Sequence, residues 1–230
     1  MKRSIDLPGI RNITVSGRIG SGTTTLAVGL AKTLGWKLLE GGVLFEKIHN
    51  DLKVSELEVN GRPDKFDLEY EEKIKKMLKD EKYHIIQSHL AGFDAQGIEG
   101  VFKILVVCED EEGNDKTEIR IDRLVNRRGI SITEAKEEVH IREKRNLQKW
   151  RRLYAGGDPN WVYWDKKYYD LVINTYPHNQ EETLKIALKK IGYSQTQSTI
   201  MQYSGKLNEK YNKKQININR VRDIVDYSDA

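Results

Sequence analysis

The chain has 230 residues, 39 basic against 35 acidic, with a formal net charge of +4, enough for one sizeable core with an appendage and a small positive excess drawn from two large, interspersed populations. That balance does not by itself suggest nucleic acid, none is expected as a partner, and no apolar run reaches the ~18 residues a membrane-spanning helix needs. The opening "MKRSIDLPGIRN" lacks the apolar core of an export signal, and the single cysteine, Cys108, sits in the apolar run "FKILVVC", so a buried structural thiol in a reducing cytoplasm is expected.

In chain order, Ile13 and Val15 lead into a glycine-rich turn, after which Leu26, Ala27, Leu30, Ala31 and Leu34 recur at helical spacing up to Gly35. Short apolar runs follow at 36–40, 83–87, 101–108 and 169–174, separated by long charged segments of helical composition. Five strands alternating with helices predict a parallel sheet covered on both faces, an α/β three-layer fold. Ser131 with Glu134 and Asn179 with Glu182 have capping-box spacing, and Asp115 with Glu118 is a weaker acidic version. Helices are therefore expected over about 116–128, 132–153 and 180–191, the last closed by Gly192. Beyond it, residues 193–230 are rich in Gln, Asn, Ser, Tyr and Lys and read as a flexible tail on a 1–192 domain.

The stretch Gly17, Arg18, Ile19, Gly20, Ser21, Gly22, Thr23, Thr24, Thr25 matches the glycines of the phosphate-loop pattern G-x-x-x-x-G-K-[ST], with Thr23 where lysine is usual. Backbone N–H groups running into a helix start hold phosphate oxygens whatever the side chains are, so the cradle survives that change. Thr24 supplies the hydroxyl that such loops offer to the magnesium ion of a nucleoside triphosphate. A cation must still neutralise the phosphates, and eight arginines lie between 120 and 152. Arginine is always charged and binds phosphate through two parallel bonds, so an arginine-bearing helical lid can stand in for the ammonium. The plainer alternative is a solvated helix face in which these arginines pair with Glu137, Glu138 and Glu143.

With its "GSGTTT" at 20–25, the chain resembles the cytidylate kinases, above all the short archaeal-type branch, in which threonine at the lysine position is normal. The resemblance runs over about 11–191 and includes "HLAGF" (89–93), "REKRN" (142–146), "LYAGGDPN" (153–160) and "YDLVINT" (169–175). It implies a P-loop nucleoside monophosphate kinase fold, ATP with magnesium as donor, a small nucleotide, CMP or dCMP, as acceptor, and a monomer. Thr24 is then the magnesium-side residue, Arg123, Arg127, Arg142 and Arg145 close over the reacting phosphoryl group, and Lys47, Asp67, His89 and Asp158 face the acceptor. Two departures touch the acceptor clamp: Glu46 stands where relatives have arginine, and Gln87-Ser88-His89 where they read Glu-Gly-Arg. Lys47, Arg62, Lys65 and His89 are the replacement cations nearby, with ordinary surface charge as the alternative for Arg62 and Lys65. Asp67 and Asp158 have helix capping as an alternative role.

Phosphoryl transfer asks the protein mainly for positioning and charge stabilisation, so no triad or metal cluster is required. A GTPase is a rival, since Asp110 and Gly113 have D-x-x-G spacing, but no N-K-x-D base-reading motif occurs. The remaining rivals are a kinase of this fold for another small acceptor and a non-catalytic nucleotide-binding module.

Overall fold

The computed structural model describes residues 4–42 and 63–193. All five expected strands form: β1 (Asn12–Gly17), β2 (Lys37–Glu40), β3 (His84–Gln87), β4 (Val101–Val107) and β5 (Leu171–Asn174). They make one sheet in the order β2-β3-β1-β4-β5, every pairing parallel, with β1 at the centre. The helices are α1 (Thr23–Leu34), α2 (Asp64–Asp80), the one-turn α3 (Ala91–Asp94), α4 (Thr117–Arg128), α5 (Ile132–Lys136), α6 (Glu143–Tyr154) and α7 (Gln180–Lys190). None of them is long and apolar enough to cross a membrane.

The period-2 alternation of β1 decides the layers. Ile13 and Val15 enter one core with Leu26, Leu30 and Leu34 of α1 and Ala187 and Leu188 of α7. On the other face Ile86 packs with Tyr70, Ile74 and Leu78 of α2. Burying each such Leu or Ile contributes about 1.5–3 kcal/mol, which fixes the register against a one-residue slip. The polar residues of β1 face α2 and α3. Asn12 donates from Nδ2 to Leu78 O (3.2 Å) and Glu81 O (2.9 Å) and accepts from the His84 amide (3.0 Å), anchoring the end of α2 to the sheet.

The capping boxes at Ser131/Glu134 and Asn179/Glu182 are both present, each with its two reciprocal bonds. The acidic version at Asp115 is not a cap. The helix starts after Lys116, and Asp115 instead accepts from Thr117 Oγ1 and from Arg120. The helix expected over 132–153 also differs: α5 passes into a π-helical segment, Glu137–Arg142, before α6 resumes. A π turn adds one residue to the coil, and so rotates every later side chain relative to a regular helix. Cys108 is buried, and burial pushes its thiol up from the ordinary range, as a structural thiol requires. The 193–230 tail, except residue 193, and residues 43–62, which include Glu46, Lys47 and Arg62, lie outside the described residues.

Candidate phosphate-binding and transfer site

The loop 17–25 leaves the C-terminal end of β1, the edge at which open parallel sheets place ligands, and runs into α1. Its glycines are dictated by space and by backbone angle. A Cβ on Gly17 would lie 2.4 Å from Val106 O, and one on Gly20 would lie 2.4 Å from Arg120 O. Gly22, the residue before α1, has φ 107°, which only glycine adopts without strain. No side chain caps α1, so its first N–H groups are left for a ligand. Ser21, at 1% exposure, carries a hydroxyl with no hydrogen-bond partner among the described residues, and Thr24 stands partly exposed at the helix start. A turn too narrow for a Cβ, an uncapped helix start and an unbonded buried hydroxyl fit a polyphosphate, and the Thr24 hydroxyl suits its magnesium ion.

The side chains behind the loop explain how it keeps this shape. Helix α4 lies along it, and Arg120, Arg123 and Arg127, at i, i+3 and i+7, reach the loop at three successive points. Arg120 Nη1 donates to Ile19 O (2.7 Å), Arg123 Nη1 to Ser21 O (3.3 Å) and Arg127 Nη1 to Thr24 Oγ1 (3.0 Å). With carbonyls 19 and 21 drawn to the back, the loop is held in a curve. Arg123 also donates to Thr175 O (2.8 Å) and Thr175 Oγ1 (2.7 Å), and that hydroxyl lies 2.8 Å from Ser21 O. Arg123 therefore holds the loop to the end of β5. Exposed Arg127 is the α4 arginine that touches the Thr24 hydroxyl.

Arg142 and Arg145 lie where the π-helical segment passes into α6, Arg142 half-buried and Arg145 exposed. Arg142 Nη1 donates to Glu138 Oε2 (2.6 Å), which Arg128 also approaches at 3.6 Å. The plainer alternative from the sequence, a solvated helix face paired to glutamates, describes Arg142 only in its partner, since Glu138 is buried, and does not describe Arg120, which is 1% exposed and donates from Nη1 to the buried Glu143 Oε2 at 3.0 Å. Thr23, at the usual lysine position, is 8% exposed and accepts from Gln87 Nε2 at 3.3 Å.

The acceptor-side residues separate into three settings. His89 stands at the C-terminal end of β3 with Nδ1 2.9 Å from Gly17 O. A carbonyl can only accept, so Nδ1 carries the proton. The ring packs against Trp150 and Tyr163 at centroid distances of 5.5 Å, and burial lowers its pKa below the ordinary histidine value, so it is neutral at pH 7. It is a positioned imidazole and not the cation that would replace an arginine. Asp67, at 1% exposure, pairs with Lys149 Nζ (2.8 Å) and lies 3.4 Å from Trp150 Nε1, tying α2 to α6. Asp158 is exposed and accepts the Asn160 amide (2.8 Å) in a local turn. Lys65 is exposed above the Phe66 ring. No cluster of three or more His, Cys, Asp or Glu able to hold a metal occurs among the described residues.

Sequence reasoning missed Thr175 as the loop's second anchor and Glu143 as more than a surface partner. Both lie inside stretches that carry the family resemblance, "REKRN" and "YDLVINT", but only the return of β5 and α6 to the loop shows what they hold.

No protein-family model matches the chain. The cytidylate kinase of Ignicoccus hospitalis is 33% identical over 179 residues, covering 75% of this chain and 96% of the relative. That of Methanopyrus kandleri is 31% identical over 186 residues, 76% and 89%. Among solved structures, an uncharacterized protein from Eubacterium ventriosum superposes with a TM-score of 0.54 at 15% identity, covering 80% of this chain and 99% of that one, which is a likeness of fold. A threonine-bearing phosphate loop on a 2-3-1-4-5 parallel sheet, joined to identity of this level along nearly the whole of these relatives, places the chain in the cytidylate kinase family of P-loop kinases.

Proposed function

We propose that the protein transfers the γ-phosphoryl group of ATP to CMP or dCMP. The observation that carries this reading is the loop itself: a cradle a Cβ would fill, open at the start of α1, on a chain about three quarters of which matches most of the length of cytidylate kinases. Amides of residues 20 and 22–25 hold the β- and γ-phosphates, while the Ser21 amide closes the loop on Arg18 O and Ser21 Oγ adds a buried hydroxyl. Thr24 would hold magnesium, which supplies charge neutralisation between the phosphates.

Arg127, already at the Thr24 hydroxyl, takes the place of the absent lysine, and Arg142 and Arg145 stabilise the charge on the phosphoryl group in transit. Arg123 and the inner loop residues Arg18 and Ile19 shape the cradle from behind. On the acceptor side Lys47, Asp67, His89 and Asp158 remain the proposed contacts. His89 acts there as a neutral hydrogen-bonding group, Asp67 together with its partner Lys149. The acceptor's phosphate charge must then be met by arginine and lysine and not by His89.

The protein acts as a cytoplasmic monomer, and light scattering checks the oligomeric state. Incubation with ATP and magnesium and each of CMP, dCMP, UMP and AMP tests the main reading. ADP should form fastest with CMP or dCMP, and ADP release that ignores the acceptor would overturn it.

A further inference from the structure

The 18–19 arm of the phosphate loop is held by a buried ion network centred on Glu143. One carboxylate oxygen accepts from Arg18 Nε (2.9 Å) and Arg18 Nη2 (2.5 Å). The other accepts from the Ile19 backbone N–H (3.2 Å) and Arg120 Nη1 (3.0 Å). Asp115 closes the ring, 3.2 Å from Arg18 Nη1 and 3.0 Å from Arg120 Nη2, while Arg18 lies over the Trp164 ring at 4.8 Å. Two cations and two carboxylates cancel, and all four bonds that one carboxylate can comfortably accept are made. Arg120 is 1% exposed and the Glu143 side chain 7%, so this is a fixed joint and not a surface pair.

Its position in the chain gives the joint a consequence for the reaction. Glu143 is the first residue of α6, directly after the π-helical segment, with Arg142 before it and Arg145 two residues on. The extra residue of the π turn sets the phase of α6. With Glu143 aimed at the loop, the roots of the flanking arginines are set as well. None of the bonds made by Glu143 uses the amides of residues 20–25, so a ligand on the cradle and the carboxylate at Ile19 do not compete.

We infer that Glu143 is a positioning residue that locks the start of α6 to the phosphate loop at Arg18 and Ile19, so that the loop's own backbone fixes where Arg142 and Arg145 stand over the transferred phosphoryl group. The inference rests on the kinase reading above and adds a residue that acts through others.

The test is steady-state kinetics on Glu143→Gln in the full chain, with the nucleotide that the unmodified protein phosphorylates best. The amide keeps the volume but loses the charge that holds both arginines. kcat should fall by about 10²-fold, the scale for a catalytic group displaced by ~1 Å, while KM for ATP and the thermal shift given by ATP stay within about threefold of wild type. Glu143→Asp keeps the charge on a shorter stem and should recover part of the loss. Should Glu143→Gln fold poorly, Arg18→Met breaks the same joint from its more exposed side and should show the same split. An unchanged kcat in the folded variants would overturn the inference, as would a rise in KM for ATP at constant kcat, which would mean a distorted cradle alone. A wild-type protein inactive on every nucleotide would instead overturn the kinase reading.

Discussion

The phosphate-loop end of the molecule and the end proposed for the acceptor are built on different principles. Around the phosphate loop, nearly every side chain has a partner fixed by burial: Arg120 on Ile19, Arg123 on Ser21 and Thr175, Glu143 on Arg18. At the acceptor end, the described groups look inward. Asp67 is taken by Lys149, His89 donates to Gly17 O, and buried Glu71 of α2 meets buried Asp94 at the end of α3, with Lys75 3.1 Å from Asp94. A site for a ligand common to many kinases can be held rigid by backbone and ion pairs. A site that selects one acceptor needs a hydrophobic and polar frame on which a few recognition groups are mounted.

The sharpest way to break this contrast is at the donor end. Gly17→Ala forces a Cβ against Val106 O, and the loop must leave the sheet edge. Activity should fall by more than about 10²-fold, the scale for losing a single preorganised donor, and ATP should no longer raise the melting temperature. Arg120→Met leaves Glu143 and Asp115 short of a cation in a buried joint. A loss of about 3–5 kcal/mol is expected, read in urea unfolding. Arg127→Ala spares that joint and removes the cation at Thr24, so kcat should drop by about 10²-fold with little change in stability, by kinetics and calorimetry side by side.

The acceptor-end frame is probed by pH. Burial and then the adjacent Asp94 push the Glu71 carboxyl well above its ordinary value of 4.5, so the folded chain keeps a proton that the unfolded chain has released. Stability therefore falls as pH rises above 4.5 until the folded-state pKa is passed. Glu71→Gln should flatten that decline and raise the melting temperature by about 2–4 °C at pH 7.5, the effect of roughly 1 kcal/mol in a chain of this size. An unaltered pH profile would show that the pair does not share a proton. The smallest effect is expected for Thr23→Lys, a change in KM for ATP within about threefold, because Arg127, at the Thr24 hydroxyl, is the cation proposed to serve the phosphates. A large gain in kcat there would show that the arginine is an incomplete substitute.

The sequence made the donor end legible because its constraints are local. Glycine spacing, an apolar strand before it and helical periodicity after it all lie within about 25 residues, and five strands separated by helical segments leave few topologies. Capping boxes at Ser131 and Asn179 were readable for the same reason. What could not be read depends on contacts across long separations. Arg120 was one of eight arginines until α4 was seen lying along the loop, and Glu143 sits 124 residues from the amide it accepts. The π-helical segment has no sequence punctuation, since its residues are ordinary helix formers. His89 reads as a cation from the sequence, and burial among Trp150 and Tyr163 lowers its pKa in spite of the Gly17 carbonyl it donates to, which favours the charged form.

Cys108 closes the back wall of the loop, with Sγ 3.5 Å from Arg123 Nη1. At 1% exposure, a disulfide-exchange reagent can reach it only when that wall parts, and the thiol resists ionisation until then. The rate at which this sulfhydryl is modified should therefore report how often that wall opens, and added ATP should lower it.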